Sequence, residues 1–200
     1  TTVFFGAGLC QVTFKDHSAA GDYIQNQVAV HGSTINTAPL TAGWSRDTRD
    51  SSLVPTMGSL HSANAKLILV GDAQYLRLGY QYQHYVPLSS RYTLAFNSEA
   101  GWAKGINGSV PFFANYYAGG LGSVRGFEQS TLGPRDSHGN AYGGTKKAVL
   151  NLELQTPFPG AGADRTLRMY GFVDAGNVYG ADESVTLGGL RVSTGIGVSW

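Results

Sequence analysis

The feature that most limits what this chain can fold into is its alternation. Over residues 190–200, Leu190, Val192, Thr194, Ile196, Val198 and Trp200 share one face of an extended backbone. Arg191, Ser193, Gly195, Gly197 and Ser199 share the other. Successive side chains of a strand point to opposite sides, so a period of two marks a β-strand whose two faces meet different surroundings. Residues 148–155 set Ala148, Leu150, Leu152 and Leu154 against Val149, Asn151, Glu153 and Gln155. Residues 75–85 set Leu76, Leu78, Tyr80 and Tyr82 against Arg77, Gly79, Gln81 and Gln83, and residues 92–102 set Tyr92, Leu94, Phe96 and Trp102 against Thr93, Asn97 and Glu99. Residues 3–12, 40–49, 59–69 and 167–178 complete eight strand candidates, so the expected class is all-β.

Two architectures alternate in this way, a soluble β-sandwich and a transmembrane β-barrel. Strand length separates them. A tilted barrel strand needs about 9 to 11 residues to cross hydrocarbon, whereas strands of soluble domains run about 5 to 6. The candidates here are long. Their second face carries Gly, Ser, Asn, Gln and Arg, which suits a wet lumen. Tyr82, Tyr85, Tyr92 and Trp102 crowd the strand ends, where interfacial aromatic girdles belong. Charged residues are 14% of the chain, below the roughly 25% of soluble domains. No apolar run reaches the roughly 18 residues of a membrane helix. Connections 50–58 and 86–91 are short and 157–165 is moderately so, whereas 13–39 and 103–147 are long. By strand parity the long ones share one end, the outer-membrane pattern. The expectation is an antiparallel transmembrane β-barrel domain of about eight strands over residues 1–200.

Several function classes find no support. A net charge of +1 gives no field for nucleic acid. Cys10 is the single cysteine, and His17, His31, His61, His84 and His138 show no ligand spacing, so no metal is expected. Arg77 and Glu99 face the expected lumen, where charges are ordinary. The run from Gly119 to Gly122 lacks the Lys-Ser/Thr of a phosphate-binding loop. No cofactor, catalytic residue or enzyme activity is expected.

Residues 103–147 are too long for a plain connector. They hold Pro111, Phe112, Phe113, Tyr116, Tyr117, Gly119, Gly120 and Phe127. So many aromatic groups need a surface to pack on, and the lumen is the nearest. Val124-Arg125-Gly126-Phe127 resembles the signature of the bacterial surface antigen superfamily of outer-membrane assembly and transport barrels. The flanks resemble the BamA family of assembly factors within it. They are residues 111–120, Thr131-Leu132-Gly133-Pro134-Arg135, Gly143-Gly144-Thr145-Lys146-Lys147-Ala148, residues 172–179, residues 43–50 and Pro55-Thr56-Met57-Gly58. The similarity runs over about 40–200.

The resemblance implies a share of a sixteen-stranded barrel, from about its seventh to its fourteenth strand, without the periplasmic POTRA domains. With no signal peptide at Thr1, the chain is expected to be a mature or internal segment. The loop is expected to fold inward, with Arg125 paired to Glu153 and Asp174 on inward faces. Gly126 would supply the turn, and Phe127 would fill an apolar spot. The implied role is folding and insertion of outer-membrane proteins, in the bacterial outer membrane, without covalent chemistry. Lipid, unfolded outer-membrane proteins and, through the missing periplasmic domains, assembly lipoproteins are the implied partners. Two-partner-secretion or TamA-like transporters, and the barrel anchor of a patatin-like esterase, are alternatives. Eight strands are expected to leave an open or distorted sheet, or else a small closed barrel with the loop displaced. An open sheet could dimerise through its edges.

Overall fold

In a computed structural model, which describes residues 1–15, 21–160 and 166–200, one antiparallel sheet accounts for nearly all regular structure. Its strands are β1 (Thr2–Ala7), β2 (Cys10–Thr13), β3 (Thr34–Asp47), β4 (Gly58–Gly71), β5 (Tyr75–Pro87), β6 (Thr93–Gly105), β7 (Lys146–Pro157), β8 (Arg168–Tyr179) and β9 (Arg191–Ser199). They lie side by side as β1-β3-β4-β5-β6-β7-β8-β9, with β2 also on β3. Every pairing is antiparallel. The sheet is open, with β1 at one edge and β9 at the other.

Nine strands stand where alternation gave eight, because the segment 3–12 divides. β1 and β2 both pair with β3, and the break falls opposite Pro39. Proline has no N–H to give to a ladder. Gly8 donates to the Pro39 carbonyl instead, and the β3–β4 register shifts between Thr37 and Pro39. β3 also begins at Thr34, earlier than residue 40, since Ile35 is buried there. Within the first long connection Asp22–His31 forms a helix, α1. Its apolar residues make too weak a stripe for periodicity to reveal it. His17 lies outside the described residues, as does 161–165 of the turn between β7 and β8.

The two faces differ sharply. One presents Leu78, Leu150, Leu152, Leu154, Val173 and Ile196, all exposed, with Ile196 86% accessible. Such a run of large apolar side chains is a surface made for a non-aqueous neighbour. The other face holds the core: Ile68, Tyr75, Ala103, Val149 and Val178 from the strands, and Val110, Ala114, Tyr116, Ala118, Val124 and Leu132 from the β6–β7 connection. The chain is therefore inside out relative to a soluble sheet. Its core lies where a barrel has its lumen, and a loop supplies half of it. The C-terminal ends of β2, β4, β6 and β8 lie at one end of the sheet, and those of β3, β5 and β7 lie at the other.

Candidate functional site

The β6–β7 connection folds back onto the inner face of β5 to β8. It opens with a short 3-10 turn at Phe112–Ala114, returns through a bridge between Tyr116 and Gly144, and buries Ala118 and Val124 against the wall. Two anchors hold its first part. Arg77 on β5 donates from Nε to the Ala114 carbonyl at 3.1 Å and lies 3.9 Å over the Tyr116 ring. The Tyr116 hydroxyl donates to the Leu78 carbonyl at 2.5 Å. Burial pushes the Tyr116 and Tyr117 hydroxyls above the usual tyrosine pKa, so both stay neutral donors.

Arg125 sits at the tip. Its Nε donates to Asp174 Oδ2 at 2.7 Å and Nη2 to Oδ1 at 2.6 Å, a bidentate fork on one carboxylate. Nη1 donates to Glu153 Oε1 at 2.5 Å, and its own backbone N–H adds a further bond to Asp174 Oδ2 at 3.0 Å. The guanidinium plane lies 3.8 Å over the Phe172 ring. Arginine suits this place because its planar fork fills two carboxylates and a ring face at once. Burial pulls its pKa down, but the hydrogen bonds it donates to the Asp174 and Glu153 carboxylates more than reverse this, leaving it above the ordinary value. The Asp174 side chain is 0% exposed, whereas Glu153 keeps some access and is held by Gln155 Nε2 at 2.7 Å.

The neighbours of Arg125 fit the backbone to this contact. Gly126 has φ +84°, a left-handed conformation that glycine adopts freely, and supplies the turn between Arg125 and Phe127. Val124 is fully buried and rests on Gly176, where a Cβ would come within 2.8 Å of Val124 Cγ2. Phe127 is partly buried against the same cluster.

The structure thus brings Val124, Arg125, Gly126 and Phe127 together with Glu153 and Asp174. It adds three groups that motif reading passed over. Asn151 donates to the Ser123 carbonyl at 2.6 Å, continuing a ladder from Gln81 through Asn97. Arg77 is a second tether, and Phe172 is the ring beneath Arg125. Parity already puts Asn151 beside Glu153 and Phe172 beside Asp174, so each lay one step from the motif. Lys147 pairs with Glu99 at 2.6 Å, which uses both charges within the wall. Among the described residues no group of three or more His, Cys, Asp or Glu is placed to hold a metal. What the site does physically is fix a loop to a wall.

The Omp85 superfamily domain matches residues 1–200. The outer membrane protein assembly factor BamA of Neisseria meningitidis serogroup B is 45% identical over 146 residues, covering 70% of this chain and 18% of that protein. A SAM50-like protein of Schizosaccharomyces pombe is 28% identical over 173 residues, covering 80% of this chain and 36% of that protein. The mouse sorting and assembly machinery component 50 homolog is 30% identical over 139 residues, covering 66% and 29%. The chain therefore spans a fifth to a third of the length of these relatives. A crystal structure of BamA from Haemophilus ducreyi lacking POTRA domains 1–3 superposes with a TM-score of 0.78 at 22% identity, covering 99% of this chain and 48% of that one. A sheet of long strands with its apolar side outward, a loop tethered by arginine on its inner face and a family match over its whole length give one answer: the chain belongs to the Omp85 superfamily and has the fold of a BamA barrel.

Proposed function

We propose that this chain is a wall segment of a machine that folds and inserts β-barrel proteins in the bacterial outer membrane, and that the Arg125 loop is its internal brace. The observation that carries the proposal is the fork of Arg125 on Asp174 and Glu153. It supports a reading in which the loop is a fixed part of the lumen rather than a mobile gate. Assembly of strands needs no covalent step. An incoming strand pairs with an exposed sheet edge, and main-chain hydrogen bonds supply the affinity. Such templating works only if the wall keeps its curvature while the edge opens. A loop with its own apolar core and two arginine anchors resists the flattening that would follow. The exposed leucines face lipid, unfolded outer-membrane proteins are the substrates, and assembly lipoproteins act through the parent's periplasmic domains.

The test uses the full-length parent reconstituted in vesicles. Folding of a heat-modifiable substrate barrel is followed for wild type and Arg125→Ala, with loop release measured in the same samples. A slower rate in the variant, with the loop released, is expected. An unchanged rate with the loop demonstrably free would overturn the brace.

A further inference from the structure

On the outward face, three neighbouring strands change character toward the end where β3 and β5 finish. β3 passes from Leu40 and Ala42 to Trp44 and Arg46, β4 read toward that end passes from Leu67 and Ala65 to His61, and β5 passes from Leu76 and Leu78 to Tyr80 and Tyr82. The register sets Arg46 opposite His61 and His61 opposite Tyr82, so the three stand side by side. We infer that this patch binds the phosphate of an anionic phospholipid, with Arg46 as the main contact.

The charges of the sheet carry the inference. Four acids lie in the strands, Asp47, Glu99, Glu153 and Asp174. All four are on the inner face, and each is already taken there: Asp47 by Arg49, Glu99 by Lys147, and Glu153 and Asp174 by Arg125. Arg46 is exposed and has no hydrogen bond or ion pair from its side chain among the described residues. An arginine does not shed its proton. On an outward face without strand acids, its counter-charge must come from outside the chain. In the membrane placement proposed above, on which this inference rests, lipid lies on that side. A phosphate offers the paired oxygens that the planar guanidinium fork fits.

His61 adds a second donor. Tyr80 is 42% exposed on this face, and its hydroxyl meets His61 Nδ1 at 2.8 Å. With the tyrosine proton on that bond, the ring proton of neutral His61 sits on Nε2, which has no partner among the described residues. Trp44 and Tyr82 flank the His61 ring at centroid distances of 6.4 and 4.6 Å. Such amphipathic rings belong at headgroup depth, where one edge is apolar and the other wet. The outward face offers a headgroup ammonium no strand carboxylate, so an anionic lipid fits better than a zwitterionic one.

The experiment uses the full-length parent in phosphatidylcholine vesicles containing phosphatidylglycerol, with brominated chains on one lipid or the other. Quenching at Trp44 is the difference between wild type and Trp44→Phe. Phosphatidylglycerol should be enriched about fivefold over its bulk share beside Trp44, as one interfacial cation would produce. Arg46→Gln should abolish the enrichment, and Arg46→Lys should keep part of it. Quenching in proportion to bulk content overturns the site and leaves the membrane placement standing. Quenching by neither lipid overturns the placement and the site together. Enrichment that survives in a folded Arg46→Gln barrel also overturns the assignment. If that variant does not fold, wild type at raised salt replaces it, because screening weakens an exposed charge contact; enrichment indifferent to salt would then refute the phosphate contact.

Discussion

Replacing Arg125 by alanine takes away three side-chain hydrogen bonds and a stacked cation, and strands two carboxylates on the lumen wall. The two are not equivalent. Asp174 is wholly inaccessible, while Glu153 is partly open and retains Gln155. Breaking a buried ion pair from one side costs about 3 to 5 kcal/mol, because the remaining charge has no compensation. The backbone N–H of residue 125 still reaches Asp174, which favours the lower end of that range. Opening of the loop should then become roughly a hundred- to several-thousand-fold more frequent, at about 1.4 kcal/mol per decade. The upper limit is set by whatever docking energy the loop's apolar contacts leave. Limited proteolysis at 122–128 measures this directly, since cleavage tracks the open population when opening and closing are fast. Arg125→Lys should recover little, because an ammonium offers no planar fork. Asp174→Asn in the alanine background removes the stranded charge and should restore part of the protection. If Arg125→Ala changes cleavage less than about twofold in a folded barrel, the loop is held by its apolar contacts alone and the tether is incidental.

Other perturbations test the rest of the structure. Leu152→Arg on the outward face should destabilise the barrel in lipid by about 2 to 4 kcal/mol if it lies near the midplane, measured by denaturant unfolding in vesicles; a cost near zero would mean this face does not meet lipid. Gly176→Ala forces a Cβ against Val124, Val149 and the Ala148 carbonyl, so a loss of about 1 to 3 kcal/mol from overpacking is expected, with loop cleavage raised at the same segment but less than in Arg125→Ala; unchanged cleavage would show that Val124 can shift freely. In the 48–57 turn, hydrogen bonds from Thr56 hold Asp50 at a pKa of about 2. A folded pKa below the unfolded value means the carboxylate stabilises the turn above about pH 4 and that this stabilisation fades as pH falls toward 2. The stability difference between wild type and Asp50→Asn should shrink over that window, and a constant difference would contradict the assignment.

Strand existence and facing were legible from residues alone because they depend on local parity. Leu150, Leu152 and Leu154 alternate with Asn151 and Glu153 whatever the rest of the chain does, and the structure exposes the first set and turns the second inward. The boundary at Thr34 and the break between β1 and β2 depend on something else. They are set by which partner a residue meets across the sheet, as with Gly8 opposite Pro39. No single-strand pattern carries that information. The helix at Asp22–His31 escaped for a related reason. It is stabilised from outside its own sequence, through Tyr23 on Tyr142 and Gln27 on Ser109.

The site divides along the same line. The arginine stood out because its tetrapeptide is distinctive. Arg77 did not, since a lumen wall of this kind carries many charges and nothing local distinguishes one that anchors a loop. What singles out Arg77 is the carbonyl of Ala114 and the ring of Tyr116, far along the chain and brought to it only by the fold. Inside a barrel the sheet cannot make a core from its own apolar side, because that side faces outward. Packing must therefore come from a segment that leaves the sheet and returns. A long aromatic loop in an alternating sequence is accordingly a stronger indication of lumen packing than any strand. Inward-facing charges within reach of such a loop are where further anchors should be sought.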